Sequence, residues 1–263
     1  MKKVVVNIVL FFCLFCFISA VYAGNSLDLK EIVSGKFRPE YISDIVPTSD
    51  GNYYTRMNAE GTQIIKYSFK TGEQVEVIFD TQQAKECPFK TFDGYTLSPD
   101  DTKILIRTET AKIYRRSYSA VYYIYTIRRN LVESLSNEGA QQAPVFSPDG
   151  NMIAFVRNNN IFLVKMLFNN SESQVTEDGI PNEIRNGIPD WVYEEEFDIS
   201  RALEFSPDSK MLAYIRFDES EVPSFSLQFF AGQSGTYTYK YPKAGETASK
   251  VSVHTFDIKT TVT

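Results

Sequence analysis

A turn motif that recurs along the chain constrains its fold more than any other feature of the sequence. Each copy has an apolar residue, then a Ser-Pro-Asp turn, then an apolar segment. The three clear copies are Leu97-Ser98-Pro99-Asp100, Phe146-Ser147-Pro148-Asp149-Gly150 and Phe205-Ser206-Pro207-Asp208. They are spaced 49 and 59 residues apart, and a fourth, degenerate copy lies at Thr48-Ser49-Asp50-Gly51. Repeats of about 40 to 50 residues with several short strands are typical of β-propeller blades.

The segments between the turns have the composition of strands. Residues 103–107, 152–156 and 211–215 each follow a turn and are rich in strand-forming residues, and residues 161–165 and 121–125 have the same character. A sustained helical period is absent from these segments. At roughly 50 residues per blade, a mature chain of about 240 residues holds four to five blades. The sequence therefore predicts an all-β, partial β-propeller of antiparallel four-stranded sheets.

An acidic segment interrupts the repeat pattern between the last two turns. It reads Asp190-Trp191-Val192-Tyr193-Glu194-Glu195-Glu196 and follows the breaker Gly187-Ile188-Pro189. We expect a short helical insertion that begins near Pro189 and is capped by Asp190. Two ionised carboxylates at about 5 to 6 Å repel by roughly 3 kcal/mol at an effective dielectric near 20, so the segment either faces water or binds a cation. Adjacent glutamates of a helix lie only about 100° apart and can converge on one small cation. A solvated acidic helix end is the alternative.

Four separated segments, in the same order, resemble the dipeptidyl peptidase IV branch of the prolyl oligopeptidase family of serine peptidases. They are the acidic segment, Tyr114-Arg115-Arg116-Ser117-Tyr118-Ser119-Ala120, Glu221-Val222-Pro223 and Tyr241-Pro242-Lys243-Ala244-Gly245. The resemblance implies that Glu195 and Glu196 hold the free amino group of a peptide substrate. It also implies that Arg115 contacts a carbonyl oxygen near that amino end.

The resemblance further implies an incomplete enzyme. The family's propeller has eight blades and is followed by an α/β-hydrolase domain, whereas this chain has a lead-in at residues 24–45 and an incomplete propeller at residues 46–263. The sequence holds no Gly-x-Ser-x-Gly motif, and its sole histidine, His254, is expected on a terminal strand beside Ser252 and Phe256. We expect no catalytic residue in this chain, which would act with a hydrolase domain in cis or as a split partner. Family members often form homodimers.

The N-terminus has the pattern of an export signal. Lys2 and Lys3 precede an apolar stretch from about residue 4 to residue 18, and small residues flank a cleavage position after Ala23. Residues 1–23 are therefore predicted to be a signal peptide that directs the chain to the periplasm or outside the cell. A membrane anchor is the alternative, but the apolar stretch is shorter than the roughly 20 residues that span a bilayer. The mature chain would keep only Cys87 and form no intramolecular disulfide.

Charge narrows the range of partners. Removal of two lysines with the signal changes the formal net charge of −6 to −8. An acidic chain without a basic patch lacks the surface that neutralises phosphates, so nucleic acid is not expected as a partner. No cofactor is predicted.

Three functions remain open at this point. The first is the substrate-recognition propeller of an exported dipeptidyl peptidase that releases N-terminal dipeptides. The second is a stand-alone peptide-binding or scaffold propeller without catalysis. The third is an acidic metal site, since hard cations bind several carboxylate oxygens; its ligands would be Asp190, Glu194, Glu195, Glu196 and Asp198, although no spaced Asp-x-Asp-x-Asp-Gly loop is present.

Overall fold

A computed structural model describes residues 27–39, 44–168, 170–229 and 235–262. The predicted signal peptide lies outside these ranges. The chain divides into two compact units, Met1–Ser43 and Asp44–Thr263. In the first unit, helix α1 spans Leu29–Val33 and is capped by Asp28, whose side chain accepts a hydrogen bond from the Lys30 N–H at 3.1 Å. Within the described ranges, no helix has the length and apolar character required to cross a bilayer.

In the described residues of the second unit there are four antiparallel sheets of four strands and one separate hairpin. The strands of the first sheet are β1 (Val46–Pro47), β2 (Tyr53–Met57), β3 (Gln63–Ser68) and β4 (Gln74–Asp80). Those of the second are β5 (Gly94–Leu97), β6 (Lys103–Lys112), β7 (Tyr118–Thr126) and β8 (Leu131–Ser134). Those of the third are β9 (Gln142–Phe146), β10 (Met152–Arg157), β11 (Asn160–Lys165) and β12 (Ser171–Gln174). Each of these three sheets runs in chain order, so each strand pairs with the next one in sequence.

The fourth sheet differs in its connections. Its strands are β13 (Ile184–Asn186), β14 (Leu203–Phe205), β15 (Met211–Asp218) and β18 (Lys250–Asp257). Strand β15 pairs with β13 and β14 along one edge and with β18 along the other. Two excursions leave this sheet: helix α2 (Trp191–Phe197) lies between β13 and β14, and the hairpin of β16 (Ser224–Phe229) and β17 (Gly235–Lys240) lies between β15 and β18. Short 3-10 turns also occur at Ile127–Arg129 and Met166–Phe168.

The recurring turns share one hydrogen-bonding pattern. The hydroxyl of the first turn residue donates to the aspartate carboxylate two positions later, at 2.6 to 2.7 Å; the pairs are Thr48–Asp50, Ser98–Asp100, Ser147–Asp149 and Ser206–Asp208. In the three Ser-Pro-Asp turns the serine hydroxyl also accepts from the N–H that opens the next strand, at 2.9 Å. The turn is thus closed by its own side chains, which explains why the motif repeats with these residue types. The degenerate copy at Thr48 has the same hydroxyl–carboxylate bond.

Consecutive turns also contact one another. Asp101 accepts hydrogen bonds from the N–H and the hydroxyl of Ser49 at 2.7 and 2.6 Å. Lys103 Nζ donates to the Gly150 carbonyl at 3.0 Å, and the Ser209 hydroxyl accepts from the Asp149 N–H at 3.1 Å. Each sheet is therefore tied to the next at the same point of the repeat.

The core lies between neighbouring sheets, because successive strand residues point to opposite faces. In β6, Ile104 and Ile106 pack with Phe79 of the first sheet, whereas Leu105 packs with Phe155 of the third. Strand β10 is buried along its whole length for the same reason. On its other face, Met152, Ala154 and Val156 pack against the fourth sheet through Leu203, Phe205, Leu212, Tyr214 and Phe256. In the described residues, the four sheets are therefore stacked in series, with an apolar interface between each sheet and the next.

The first strands of the first three sheets and the segment before β14 of the fourth sheet line one cavity of about 420 Å³. Its walls include Val46 of β1, Tyr95 of β5, Gln142 of β9 and Ser200 next to β14. Sheets stacked face to face with one end of each sheet around a common space have the radial arrangement of propeller blades. The predicted all-β partial propeller is confirmed, as is the short helical insertion that carries the acidic segment.

Candidate peptide-binding site

Helix α2 begins where the sequence predicts it. Gly187 has a φ of +74°, which reverses the chain before Pro189. The Asp190 side chain then caps the helix by accepting a hydrogen bond from the Tyr193 N–H at 2.8 Å, and its other oxygen accepts from the Ser249 hydroxyl. At the other end Asp198 adopts the left-handed conformation, with a φ of +60°, and its N–H donates to the Tyr193 carbonyl. This isolated helix of seven residues is held by its two caps and by packing, since so short a helix is marginal in water by itself.

The three glutamates of α2 have different environments. Glu194 is buried, with 1% of its surface exposed. Glu195 is partly buried, with 11% of its side chain exposed, and Glu196 is exposed. Within the described part of the chain the Glu196 side chain makes no hydrogen bond or ion pair. The helical turn therefore separates one interior carboxylate from two that reach solvent.

Arg115 lies beside the second of these glutamates. It belongs to the loop of residues 113–117, which connects β6 and β7 of the second sheet. Arg115 Nε lies 3.1 Å from Glu195 Oε2, and 73% of the arginine side chain is exposed. The structure thus brings together Arg115 and the Glu195–Glu196 pair, which the sequence separates.

The buried side chain of Glu194 connects helix α2 to the same loop. Its Oε1 accepts hydrogen bonds from the backbone N–H groups of Arg116 and Ser117, at 2.8 and 2.7 Å. The Arg116 guanidinium donates to the Glu194 carbonyl oxygen at 3.1 Å and forms an ion pair with Asp198. The sequence suggested Glu194 as one ligand of an acidic metal site and did not predict its burial. Asp190 lies one helical turn earlier, at i and i+4, and both carboxylates are buried, a spacing that could have indicated a common inward face.

Aromatic contacts anchor α2 on two sides, one beside the β16–β17 hairpin and one on the fourth sheet. The Trp191 ring packs edge-to-face on Tyr241 at 4.8 Å, next to the base of the β16–β17 hairpin. Tyr193 packs edge-to-face on Phe217 of β15 at 5.0 Å. Both aromatic residues of the acidic segment are therefore packing anchors, and this hairpin contact was not predicted from the sequence.

A buried charged pair lies close to the loop of Arg115. Arg185 of β13 forms an ion pair with Glu219, and both side chains are largely removed from solvent. Burial raises the pKa of Glu219, although the Arg185 guanidinium opposes that shift. Burial also raises the pKa of Tyr114 to about 12, again opposed by Arg185. Tyr114 is thus neutral at physiological pH and serves to pack the loop, next to Tyr239 at 6.4 Å.

The candidate site lies outside the cavity between the blades. The 420 Å³ cavity between the blades is lined by Arg116 and Ser117 but by neither Arg115 nor the two solvent-reaching glutamates. We place the candidate site at the glutamates, because the convergent charges are there, while Arg116 is engaged by Glu194 and Asp198.

The structure also shows the surroundings of His254 and of the carboxylates considered as metal ligands. His254 lies on β18, where its Nε2 is 2.9 Å from the Ser252 hydroxyl and its ring stacks on Tyr214 at 5.3 Å. Two of the five carboxylates considered as metal ligands, Asp190 and Glu194, already accept hydrogen bonds from protein donors. No group of three or more candidate metal ligands converges anywhere in the described ranges.

Comparison with known proteins agrees with the resemblance. The family model for the dipeptidyl peptidase IV (DPP IV) N-terminal region matches residues 98–263, more than half of the chain. A probable dipeptidyl-aminopeptidase B of Colletotrichum graminicola is 31% identical over 269 residues, and the prolyl endopeptidase FAP of Homo sapiens is 33% identical over 246 residues. Each alignment covers 90% of this chain and 29% or 30% of the relative. The chain therefore spans about 30% of the length of these relatives.

Solved structures show the same fold. The crystal structure of Porphyromonas gingivalis dipeptidyl peptidase 4 is similar with a TM-score of 0.86 and 44% sequence identity, over 91% of this chain and 34% of that chain. A putative dipeptidyl aminopeptidase IV from Bacteroides ovatus is similar with a TM-score of 0.58 and 20% identity, over 91% of this chain and 32% of that chain, which supports the fold alone.

Proposed function

Since the chain belongs to the dipeptidyl peptidase IV family, whose N-terminal region it matches over residues 98–263, we propose that it recognises the free amino terminus of peptides. Glu195 and Glu196 bind the terminal ammonium, and Arg115 donates to a carbonyl oxygen near it. The observation that carries this proposal is the 3.1 Å approach of Arg115 Nε to Glu195 Oε2, beside the exposed Glu196.

Charge balance favours a cationic ligand. Arg115 and Glu195 neutralise each other formally, so the cluster of Arg115, Glu195 and Glu196 carries one net negative charge. An ammonium group has one positive charge and three N–H donors, which two carboxylates can accept in charge-assisted hydrogen bonds. Acetylation of the amine removes the charge and leaves the second carboxylate without a cation.

An ammonium can replace Arg115 as the cation beside Glu195. The arginine side chain is 73% exposed and can be solvated when it leaves, whereas the Glu195 side chain is only 11% exposed and requires a cationic partner. An incoming ammonium can therefore take over Glu195 while the guanidinium turns to a peptide carbonyl. The guanidinium group has five N–H donors in a planar fork, so it can donate to the peptide carbonyl and remain close to Glu195.

The chemistry of cleavage would come from elsewhere. The sequence contains no nucleophile elbow, and its single histidine packs on a terminal strand. We propose that the propeller acts with an α/β-hydrolase domain to release N-terminal dipeptides, because a clamp that fixes the amino end limits how much peptide extends to the nucleophile. The basic and apolar pattern of residues 1–23 supports a further proposal, that the protein is exported.

Calorimetry with matched peptides tests the recognition step. We expect alanyl-alanine amide to bind, and its N-acetylated form to bind at least tenfold more weakly, since a charge-assisted hydrogen bond contributes about 1.5–3 kcal/mol. The double variant Glu195→Gln and Glu196→Gln should lose the difference between the two peptides.

The control is Glu76→Gln in the first sheet. Glu76 also forms an exposed ion pair, with Lys66 Nζ at 3.2 Å, and its loss should leave the preference for the free amine unchanged. Equal affinity of the unmodified protein for both peptides would refute the proposal.

A further inference from the structure

We propose that Glu194, the first glutamate of the triplet, is a positioning residue that sets the distance between Arg115 and the two outer glutamates. This inference rests on the proposed function, since it assigns how the two halves of the amine site are held together. Glu194 touches no ligand in this role. It acts through the backbone of the arginine loop.

The contacts of Glu194 point away from the site and toward the loop. Its side chain is buried, and one carboxylate oxygen accepts both the Arg116 N–H and the Ser117 N–H. These two amides immediately follow Arg115, so they fix the direction in which the loop leaves that residue. A buried carboxylate that accepts two N–H groups of a loop is a strong tether, because charge-assisted hydrogen bonds are shorter and stronger than neutral ones.

The loop has few other restraints of its own. Its internal hydrogen bonds are the Ile113 N–H to the Ser117 carbonyl at 3.0 Å and the Tyr114 N–H to the Ser117 hydroxyl at 3.3 Å. The preceding strand has a β-bulge between Thr108 and Ala111 and then pairs again through Ala111–Ser119 and Lys112–Tyr118, so strand pairing fixes the two ends of the loop but not its tilt toward α2. The orientation of the loop toward α2 therefore depends on the two hydrogen bonds to Glu194, together with the Arg116 side chain on Asp198 and on the Glu194 carbonyl and the packing of Tyr114 beside Tyr239.

Position along the helix separates the roles of the three glutamates. Asp190 and Glu194, one turn apart, are both buried and hydrogen-bonded to protein donors, whereas Glu195 and Glu196 reach solvent. Loss of the Glu194 carboxylate would leave the outer pair on a helix that is still capped by Asp190. It would release Arg115 from its place beside Glu195.

Amide hydrogen exchange measured by NMR on the full chain tests the tether without any ligand. In Glu194→Ala, the Arg116 and Ser117 amides should exchange roughly tenfold faster or more, since each loses its acceptor. In Glu194→Gln, the amide oxygen can still accept both N–H groups, so protection should be largely retained. Glu196→Ala on the same helix is the matched control and should leave both exchange rates unchanged.

Ligand binding supplies the second measurement. Two probes are compared by calorimetry: alanyl-alanine amide, and its analogue in which CH2–CH2 replaces the first peptide group and so removes the carbonyl. The unmodified protein should prefer the carbonyl-bearing probe, and Glu194→Ala should abolish that preference while still binding free amines. Glu194→Gln should restore the preference.

The outcomes separate this inference from the proposed function. Failure of the unmodified protein to distinguish free from acetylated peptides refutes the function, while the exchange result still decides the tether. Unchanged exchange of both amides in Glu194→Ala, or an undiminished preference for the carbonyl-bearing probe, overturns the positioning role. If Glu194→Ala does not fold, Glu194→Asp replaces it: the carboxylate is one methylene shorter and cannot reach both N–H groups, so faster exchange is again the expected result.

Discussion

Arg115 and Glu195 approach to 3.1 Å although they belong to different sheets of the propeller. The arginine lies in the loop between two strands of the second sheet, and the glutamate lies on a helix inserted into the fourth. The third sheet stands between them in the series of blades. The contact exists because both excursions leave their sheets on the same side and because Glu194 joins them.

The first prediction concerns the guanidinium group of Arg115. Arg115→Ala should weaken binding of a free-amine dipeptide amide by about 10- to 100-fold, because a charge-assisted hydrogen bond to the carbonyl is lost. The affinity of Arg115→Lys for this peptide should lie between those of the unmodified protein and Arg115→Ala, since lysine keeps the charge but lacks the planar fork. Calorimetry at constant ionic strength measures both changes. Arg128→Ala, an exposed arginine of the 3-10 turn after β7, is the control, and an equal loss in that variant would contradict the assignment.

The second prediction concerns the close approach at Gly187. A Cβ atom at this position would lie 2.7 Å from Leu203 Cδ2 and 3.1 Å from Ile161 Cδ1, at a φ of +74°. The backbone cannot easily move, because the Gly187 N–H and carbonyl pair with Ile215 and Ala202. Gly187→Ala should therefore lower the free energy of unfolding by about 2 to 4 kcal/mol, from backbone strain and overpacking together. Urea unfolding measures the change.

A second glycine isolates the backbone part of this effect. Gly72 has nearly the same φ, +73°, but an added Cβ would meet no atom within 4 Å. Gly72→Ala should cost only about 1–2 kcal/mol, the strain of the left-handed conformation. Losses of equal size in the two variants would show that packing against Leu203 contributes nothing.

The third prediction concerns acid pH and the recurring turns. The hydrogen bond from the Ser206 hydroxyl holds the pKa of Asp208 below its ordinary value of 3.8, and the Thr48 hydroxyl does the same for Asp50. A carboxylate with a lowered pKa in the folded state stabilises the fold above its ordinary pKa, and this contribution is lost as the pH falls through the lowered value. The free energy of unfolding should therefore decline as the pH drops below about 3.8.

Removal of one turn hydroxyl checks the origin of this acid dependence. In Ser206→Ala the free energy of unfolding should fall less steeply with decreasing pH, because the pKa of Asp208 then moves toward its value in the unfolded chain. Urea unfolding at a series of acidic pH values measures the slope. Ser173→Ala is the matched control, as its hydroxyl donates to the Leu163 carbonyl and to no carboxylate. Identical slopes of the free energy of unfolding against pH in the two variants would contradict this explanation.

Much of the fold could be predicted from the sequence, because its signals are local. The serine and aspartate of each turn bond to each other across two residues, and the apolar segments that follow alternate or are buried on both faces. Asp190 likewise caps a helix through an N–H only three residues away. Local interactions of this kind can be predicted from the sequence, because chain geometry fixes which groups are close together.

The candidate site was only partly predictable. Arg115, Glu195 and Glu196 were selected by resemblance, and their role in binding stays a prediction that the experiments above address. The burial of Glu194 was not predicted, because the N–H groups that donate to its carboxylate lie 78 and 77 residues away along the chain. The packing of Trp191 against Tyr241 next to the β16–β17 hairpin and the contact of Gly187 with Leu203 were missed for the same reason.

The sequence by itself determined the repeat, the strands between the turns, the capped helical turn and the excess of negative charge at that turn. Only the tertiary structure decided which glutamate is interior, which two face solvent and which arginine stands beside them. The physical reason is that a helix sets the angles among Glu194, Glu195 and Glu196, but not the direction in which the helix faces. That direction follows from packing on the fourth sheet, through Tyr193 on Phe217, and from two backbone N–H groups of a distant loop.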